Sequence, residues 1–247
     1  MYTFNSRVRY SETDESGRLT VTGMINYMQD CSTFHSEDVG VGVGYLGRSR
    51  KIWLLSSWQI VIKRYPKLGD RLEIGTWHND FKGIYGYRNF VIRDEAGEDL
   101  VQAASVWFLY DLEKEQPARV TGEDTDPYGE PGARLELGKI PRKIPVPAEY
   151  ETMDAVVVSR HHLDTNHHVN NAQYVDMARE AVPGEVTIRE IRADYRKAAL
   201  LGDLVIPRVT SGSDGSYTVA LCSETGDIYA VVWLMTETAD HSNEKRK

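Results

Sequence analysis

Two stretches of this chain carry one loop pattern: SETDESGRL, Ser11 to Leu19, and HHLDTNHHV, His161 to Val169. Each loop leads into the same order of elements. After the first, VTGMINYMQDCSTFHSEDVG sets Met24, Tyr27, Met28, Cys31 and Phe34 at helical spacing, a stripe that faces a core. The period then changes to two. WLLSSWQIVIKRY, DRLEIGTWHND, GYRNFVIRD and DLVQAASVWFLYD are rich in β-branched and aromatic residues and are joined by turns such as Leu68-Gly69-Asp70 and Glu95-Ala96-Gly97. After the second loop, NNAQYVDMAREAV reads as a short helix, with Asn170 or Asn171 as its N-cap and Pro183-Gly184 as its end. Four more strands come after it. Each loop is also preceded by a strand, YTFNSRVRY or DAVVVSR. A chain that repeats this order is confined to a duplicated α+β unit, one helix against one antiparallel sheet in each copy. Asp14 aligns with Asp164, Ser16 with Asn166 and Arg18 with His168. Only the second copy has the asparagine and the histidine, so one copy is expected to keep chemistry and the other to keep shape.

Six of the nine prolines lie between Pro117 and Pro147. The segment from Thr121 to Tyr150 shows little apolar periodicity and reads as a linker draped over a surface. The expected division is 1–120, a linker at 121–150, and 151–247. A net charge of −8 argues against a nucleic-acid partner, and Cys31 and Cys222 show no metal or disulfide spacing. MYTFNSRVRY lacks the apolar run of a signal peptide, and no run approaches the ~18 apolar residues of a membrane span. A soluble cytoplasmic protein is the expectation, with the polar tail HSNEKRK frayed.

Four of the seven histidines fall between His161 and His168, interleaved with Asp164 and Asn166. A metal site, an acid/base site and a polar turn would all use such residues. The spacing matches neither HExxH nor a two-histidine, one-carboxylate set, so no metal and no cofactor is expected. Asp164 in LDTN is also a residue type that makes turns by itself. His161, His162 and His167 read as solvated or hydrogen-bonded side chains. The glycines of VGVGYLGRSR have no phosphate-loop spacing and read as a mobile loop.

The run D-x-N-x-H-V-N-N-x-x-Y, Asp164 to Tyr174, resembles the active-site motif of the acyl–acyl-carrier-protein thioesterases of plant plastids and bacteria. RYPKLGDRLEIGTW, GRLTVTGMINYMQD and RDEAGEDLVQAASVWFLYD resemble that family's first half. The resemblance covers nearly the whole chain. It implies a tandem hotdog fold, each sheet wrapping a helix, and hydrolysis of fatty acyl-ACP to free fatty acid. It carries the active-site roles to Asp164, Asn166 and His168. It also implies acyl carrier protein as partner, and a monomer or homodimer, because two hotdogs in one chain can form the usual pair. One feature departs from the pattern. The family has a glutamate three residues after the tyrosine that matches Tyr195, often with a cysteine beside it; here Ala198 and Ala199 stand there. A cysteine nucleophile is therefore not expected, and the fourth role is left to Asp194, Glu190, Asp203 or a water.

Thioester hydrolysis asks little of a leaving thiol, whose pKa is about 8.5. Asp164 could deprotonate water or attack the carbonyl itself; the sequence does not separate these. His168 could orient the water, act as base or bind the carbonyl oxygen, and Asn166 offers an amide donor and acceptor. The start of the following helix supplies free N–H groups for an oxyanion. For the acyl slot the candidates are Met24, Tyr27, Met28 and Cys31 on the first helix and Trp53, Leu55 and Trp58 on the first long strand, with Asn170 and Asn171 as substrate-binding or helix-capping residues. Steering an acidic carrier would fall to Arg48, Arg50 and Lys51, or to Arg189, Arg192, Arg196 and Lys197. An acyl-CoA thioesterase and a non-hydrolytic acyl-binding protein are the competing functions.

Overall fold

A computed structural model describes residues 1–138 and 143–237. The polar tail and the middle of the proline-rich segment lie outside the described residues. The first half runs β1 (Tyr2–Arg7), α1 (Val21–Asp38), α2 (Val43–Ser49), β2 (Lys51–Ile62), β3 (Arg71–Lys82), β4 (Tyr85–Arg93), β5 (Asp99–Asp111) and the short β6 (Gln116–Pro117). A helical turn, α3 (Gly122–Thr125), comes next. The second half runs β7 (Glu151–Thr152), β8 (Val156–Val157), α4 (Asn171–Ala181), β9 (Ile188–Tyr195), β10 (Leu204–Ser211), β11 (Ser216–Cys222) and β12 (Ile228–Thr236).

The strands form one antiparallel sheet in the order β1-β3-β4-β5-β2-β9-β12-β11-β10-β7. The order is the same read from either end: β2 corresponds to β9, β5 to β12, β4 to β11 and β3 to β10. The halves join where β2 pairs with β9, Ser57 opposite Asp194 through Val61 opposite Glu190. Each half wraps its sheet around one helix. This is the tandem hotdog that the resemblance implies.

The helices start where a side chain takes a free N–H. Thr20 Oγ1 accepts from Gly23 N at 3.0 Å to begin α1, and Asn170 Oδ1 accepts from Ala172 N at 2.9 Å to begin α4. The two helices lie against each other, tied by Thr22 Oγ1 to Asp176 Oδ1 (2.8 Å) and Gln29 Nε2 to Asn170 Oδ1 (3.2 Å). The apolar stripe of α1, with Met24, Tyr27, Met28 and Cys31, is buried against the sheet with Trp58, Ile74 and Phe90. Each fully buried side chain of this size stabilises the fold by roughly 1.5–3 kcal/mol. Phe34 departs from the stripe: it is 44% exposed and packs edge-on against Phe4.

One loop differs from expectation. The glycine cluster after α1 holds a short helix, α2, because Glu37 Oε1 accepts from Val43 N at 2.7 Å and caps it. The proline-rich segment is pinned to the outer face of the sheet. Trp77 Nε1 and Asn89 Nδ2 donate to Ala133 O, Gln59 Nε2 donates to Leu137 O, and Asp194 Oδ2 accepts from Ile144 N. Side chains of both halves thus hold the segment's backbone polar groups.

Candidate active site

The two polar loops have one geometry. Asp164 N donates to His168 O (2.8 Å), and Asp164 Oδ1 accepts from Asn166 N (2.8 Å) and His168 N (3.4 Å). Asp14 N donates to Arg18 O (2.9 Å), and Asp14 Oδ1 accepts from Ser16 N (2.9 Å) and Arg18 N (3.0 Å). In each loop a 3₁₀ turn precedes the aspartate. His162 Nδ1 accepts from Ser159 N in the second loop as Glu12 Oε2 accepts from Arg9 N in the first. His162 therefore braces the loop; its proton sits on Nε2, and burial, with His161 beside it, pushes its pKa down.

The correspondence continues downstream. Val169 N donates to Ala199 O as Leu19 N donates to Pro66 O. Leu200 N donates to Asp203 Oδ2 as Lys67 N donates to Asp70 Oδ2. Lys197 N and Arg64 N both reach back to the last-strand carbonyls Tyr229 O and Leu100 O. By this register Ala198 stands where Tyr65 stands in the first half. There Tyr65 fills the space, its hydroxyl donating to Ile188 O (2.9 Å) and Arg18 lying 5.8 Å from its ring centroid. Only a cavity of about 60 Å³ remains, between Asp14, Arg18, Thr20 and Tyr65. In the second half the equivalents are Asp164, His168, Asn170 and the exposed Ala198. Tyr174 holds that stretch from beneath: its Oη accepts from Ala199 N at 2.8 Å, and burial raises its pKa to about 12.

The larger cavity, about 380 Å³, opens against Thr165 and Asn166 of the motif loop. The first half builds the rest of its wall. Ser32, Thr33 and Ser36 come from α1, Val43 and Leu46 from α2, Trp53 from β2 and Trp107 from β5. Gly86 on β4 leaves room there, since a Cβ would sit 3.0 Å from the Phe81 ring and 3.2 Å from Trp53. At the sheet side stand Arg88, His78 and Tyr128. Arg88 Nη1 donates to His35 Nδ1 at 3.1 Å. Arginine has no acceptor, so neutral His35 carries its proton on Nε2. Burial, with the Arg88 charge beside it, pushes His35 down to about 4, and His78 is lowered by the same causes.

Of the slot candidates, Trp53 lines this cavity. Met24, Tyr27, Met28, Cys31, Leu55 and Trp58 do not: they are buried in the core. The apolar stripe of α1 is consumed by packing on the sheet, and the neighbouring face with Ser32, Thr33 and Ser36 meets the cavity. Asn170 is occupied as the α4 cap and by Gln29, and Asn171 is the first residue of α4, its carbonyl accepting from Tyr195 Oη. Of the motif residues, Asn166 reaches the cavity wall, while Asp164 and His168 belong to the same loop but are not among the lining residues. None of the three carboxylates weighed for the fourth role lines the cavity. Asp194 accepts from Ile144 N, Glu190 pairs with Arg192, and Asp203 caps Leu200. The basic candidates are mostly neutralised: Lys51 by Asp124, Arg189 by Glu237, Arg192 by Glu190 and Lys197 by Asp227. Sequence reading missed Arg88, His78 and Tyr128. Its available signal was Arg88 in GYRNF, a cation between Gly86 and Phe90 on the inward face of an alternating strand. Among the described residues no three His, Cys, Asp or Glu side chains converge as a metal site would require, and no helix is long and apolar enough to cross a membrane.

Residues 1–128 match the family model of the acyl-ACP thioesterase N-terminal domain, and residues 147–231 that of the C-terminal domain. Oleoyl-acyl carrier protein thioesterase 2, chloroplastic, of Arabidopsis thaliana is 29% identical over 89% of this chain and 65% of its own. Dodecanoyl-[acyl-carrier-protein] hydrolase, chloroplastic, of Cinnamomum camphora is 26% identical over 88% of this chain and 61% of its own. The chain thus spans a little under two-thirds of the length of these relatives. Among solved structures, an acyl-ACP thioesterase from Bacteroides thetaiotaomicron superposes with a TM-score of 0.87 at 22% identity, over 95% of this chain and 97% of that one. The 12:0-ACP thioesterase from Umbellularia californica gives 0.82 at 20% identity, over 96% of this chain and 98% of that one. At such identities the structural likeness speaks for the fold.

Proposed function

The chain belongs to the acyl-ACP thioesterase family, and from that premise we propose that it hydrolyses the thioester of a fatty acyl chain carried on acyl carrier protein, releasing the free acid. The observation that carries this reading is the meeting of the Asp164–His168 loop, at Asn166, with a cavity whose remaining wall is largely aromatic and aliphatic. A thioester at the loop would send its acyl chain into that cavity.

The roles are set by chemistry. One Asp164 oxygen is committed to the loop's N–H groups, which fixes the carboxylate in place; the other has no hydrogen bond among the described residues and acts on a water or on the carbonyl carbon. His168 orients that water, and the Asn166 amide holds a substrate oxygen. With alanine at 198 and the nearby carboxylates engaged elsewhere, water fills the fourth position. The carrier meets the rim at α2, where Arg48 makes no ion pair among the described residues and Arg50 has only a 3.9 Å contact with Glu113. A cytoplasmic setting belongs to the same reading and is supported by two buried, unpaired cysteines.

The test is steady-state thiol release from a panel of acyl-ACPs and matching acyl-CoAs, with Asp164→Asn beside the parent. Turnover on acyl-ACP that disappears in the variant supports the proposal. Preference for the CoA esters would reassign the carrier. Tight binding with no turnover on any chain would make the protein an acyl-thioester binder.

A further inference from the structure

One charge in the cavity has no counter-charge among the described residues. Arg88 is 8% exposed and forms part of the wall, directly across from His78 on β3. Nη1 of its guanidinium donates to His35 Nδ1 at 3.1 Å and to Thr76 Oγ1 at 3.3 Å, and the neutral Tyr128 hydroxyl is a further hydrogen-bond partner of the group. Its Cζ lies 5.0 Å from the centroid of the Tyr128 ring. Among the described residues no aspartate or glutamate lines the cavity and none forms an ion pair with Arg88. Lys51, the other cation of the wall, differs, because both of its contacts to Asp124 are 3.1 Å.

An arginine does not shed its proton to escape burial, and a buried charge is costly unless it is paired. Bracing α1 to the sheet through His35 uses one of the three guanidinium nitrogens. We propose that the cavity accepts an acyl chain whose far end carries a carboxylate, bound by the Nε and Nη2 side of the Arg88 fork. A carboxylate matches that fork with two parallel hydrogen bonds and supplies the missing negative charge. A plain hydrocarbon end at the same depth would lie against an uncompensated guanidinium and gain nothing from it. Arg88 is then the residue that determines which chain ends are accepted. The proposal rests on the reading of this cavity as the acyl slot and deepens it by naming a substrate class.

The experiment uses binding, so it does not depend on turnover. The probes are N-acyl-N′-acetylethylenediamines, in which an amide N–H replaces the sulfur of an N-acetylcysteamine thioester and resists hydrolysis: one with an octanoyl chain, one with the suberic monoacyl chain, titrated into the full-length protein by calorimetry. The parent is expected to bind the suberic amide at least about tenfold more tightly, the scale of one charge-assisted hydrogen-bond pair. Arg88→Met should reverse the preference, and Arg88→Lys should keep part of it. A parent that binds the octanoyl amide as tightly or more tightly overturns the proposal without reference to any variant. So does an Arg88→Met protein that unfolds at the parent's temperature and weakens both amides equally. Failure of the acyl-ACP turnover assay would sink the hydrolase reading and leave this binding preference standing.

Discussion

His167 occupies the backbone position that Gly17 occupies in the first half, with φ of 61° against 74°. That is the left-handed region, which costs a residue with a Cβ roughly 1–2 kcal/mol and costs glycine nothing comparable. The strain sits inside the candidate catalytic loop. His167→Gly is therefore expected to stabilise the protein by about 1 kcal/mol, read as a higher urea midpoint at unchanged slope. A destabilised variant would mean that the exposed imidazole makes stabilising contacts.

Asp14 and Asp164 brace identical loops, so they form a built-in control. Asp164→Asn keeps an oxygen for the Asn166 and His168 N–H groups and is expected to cost about 1 kcal/mol or less. Its turnover should fall by about 10²–10⁴-fold, the usual worth of a positioned acid/base group. Asp14→Asn should cost similar stability and leave turnover within about twofold. Equal losses of turnover from both substitutions would show that the loop's shape, and not the Asp164 carboxylate, is what matters.

The duplication was readable because the loop residues use their own backbone: aspartate, then Ser or Asn two residues on, writes the same turn in both halves whatever surrounds it. The strands were readable from their alternation for a similar local reason. The cavity was not, because its wall comes from elements distant in the chain. Ser36 and Tyr128, whose hydroxyls lie 2.7 Å apart, are joined only by the fold, and Tyr128 arrives from the segment read as a surface-draped linker. The stripe Met24, Tyr27, Met28 was correctly apolar, yet periodicity does not tell a side chain buried against the sheet from one that borders a void. Helix α2 was hidden by its glycines, since its cap is Glu37, a residue of the preceding helix.

The buried His35 should give acid sensitivity of a definite sign. Its pKa is about 4 in the fold against an ordinary 6.5, so between those values the unfolded chain binds the proton and the folded one does not. Its contribution is fully present above about pH 6.5 and is lost as pH falls towards 4, by up to about 3 kcal/mol. His35→Gln keeps an acceptor for Arg88 without a titrating ring. The difference in unfolding free energy between parent and variant should shrink or reverse across that window, and a constant difference would refute the assignment.

The Lys51–Asp124 pair fastens β2 to α3, with the Asp124 side chain 1% exposed. Lys51→Met strands a buried carboxylate that is left with only Thr121 for support, and is expected to cost about 3 kcal/mol. Removing both charges, as Lys51→Met with Asp124→Leu, should recover most of that loss. Thermal unfolding of the single and double variants checks this. Additive losses would show that packing, and not the pair, holds α3.

Ala198 and Tyr65 are equivalent positions with opposite consequences. Tyr65 fills the first-half site, which is why only about 60 Å³ remains beside Asp14 and Arg18. Ala198 is exposed and puts only a methyl where the Tyr65 ring stands in the first half. Ala198→Tyr should therefore copy the plug into the second half. The ring enters space that the backbone already frames, so the unfolding temperature should stay within a few degrees of the parent's, while turnover on acyl-ACP drops by at least about tenfold through loss of access. Ala198→Glu places a carboxylate at the same position and should be tolerated equally well. If a glutamate there activates the water, its kcat rises above the parent's and acquires a new acidic limb in the pH profile. Full activity in Ala198→Tyr would mean that substrate never comes to this position, and the reaction would have to be placed elsewhere along the cavity wall.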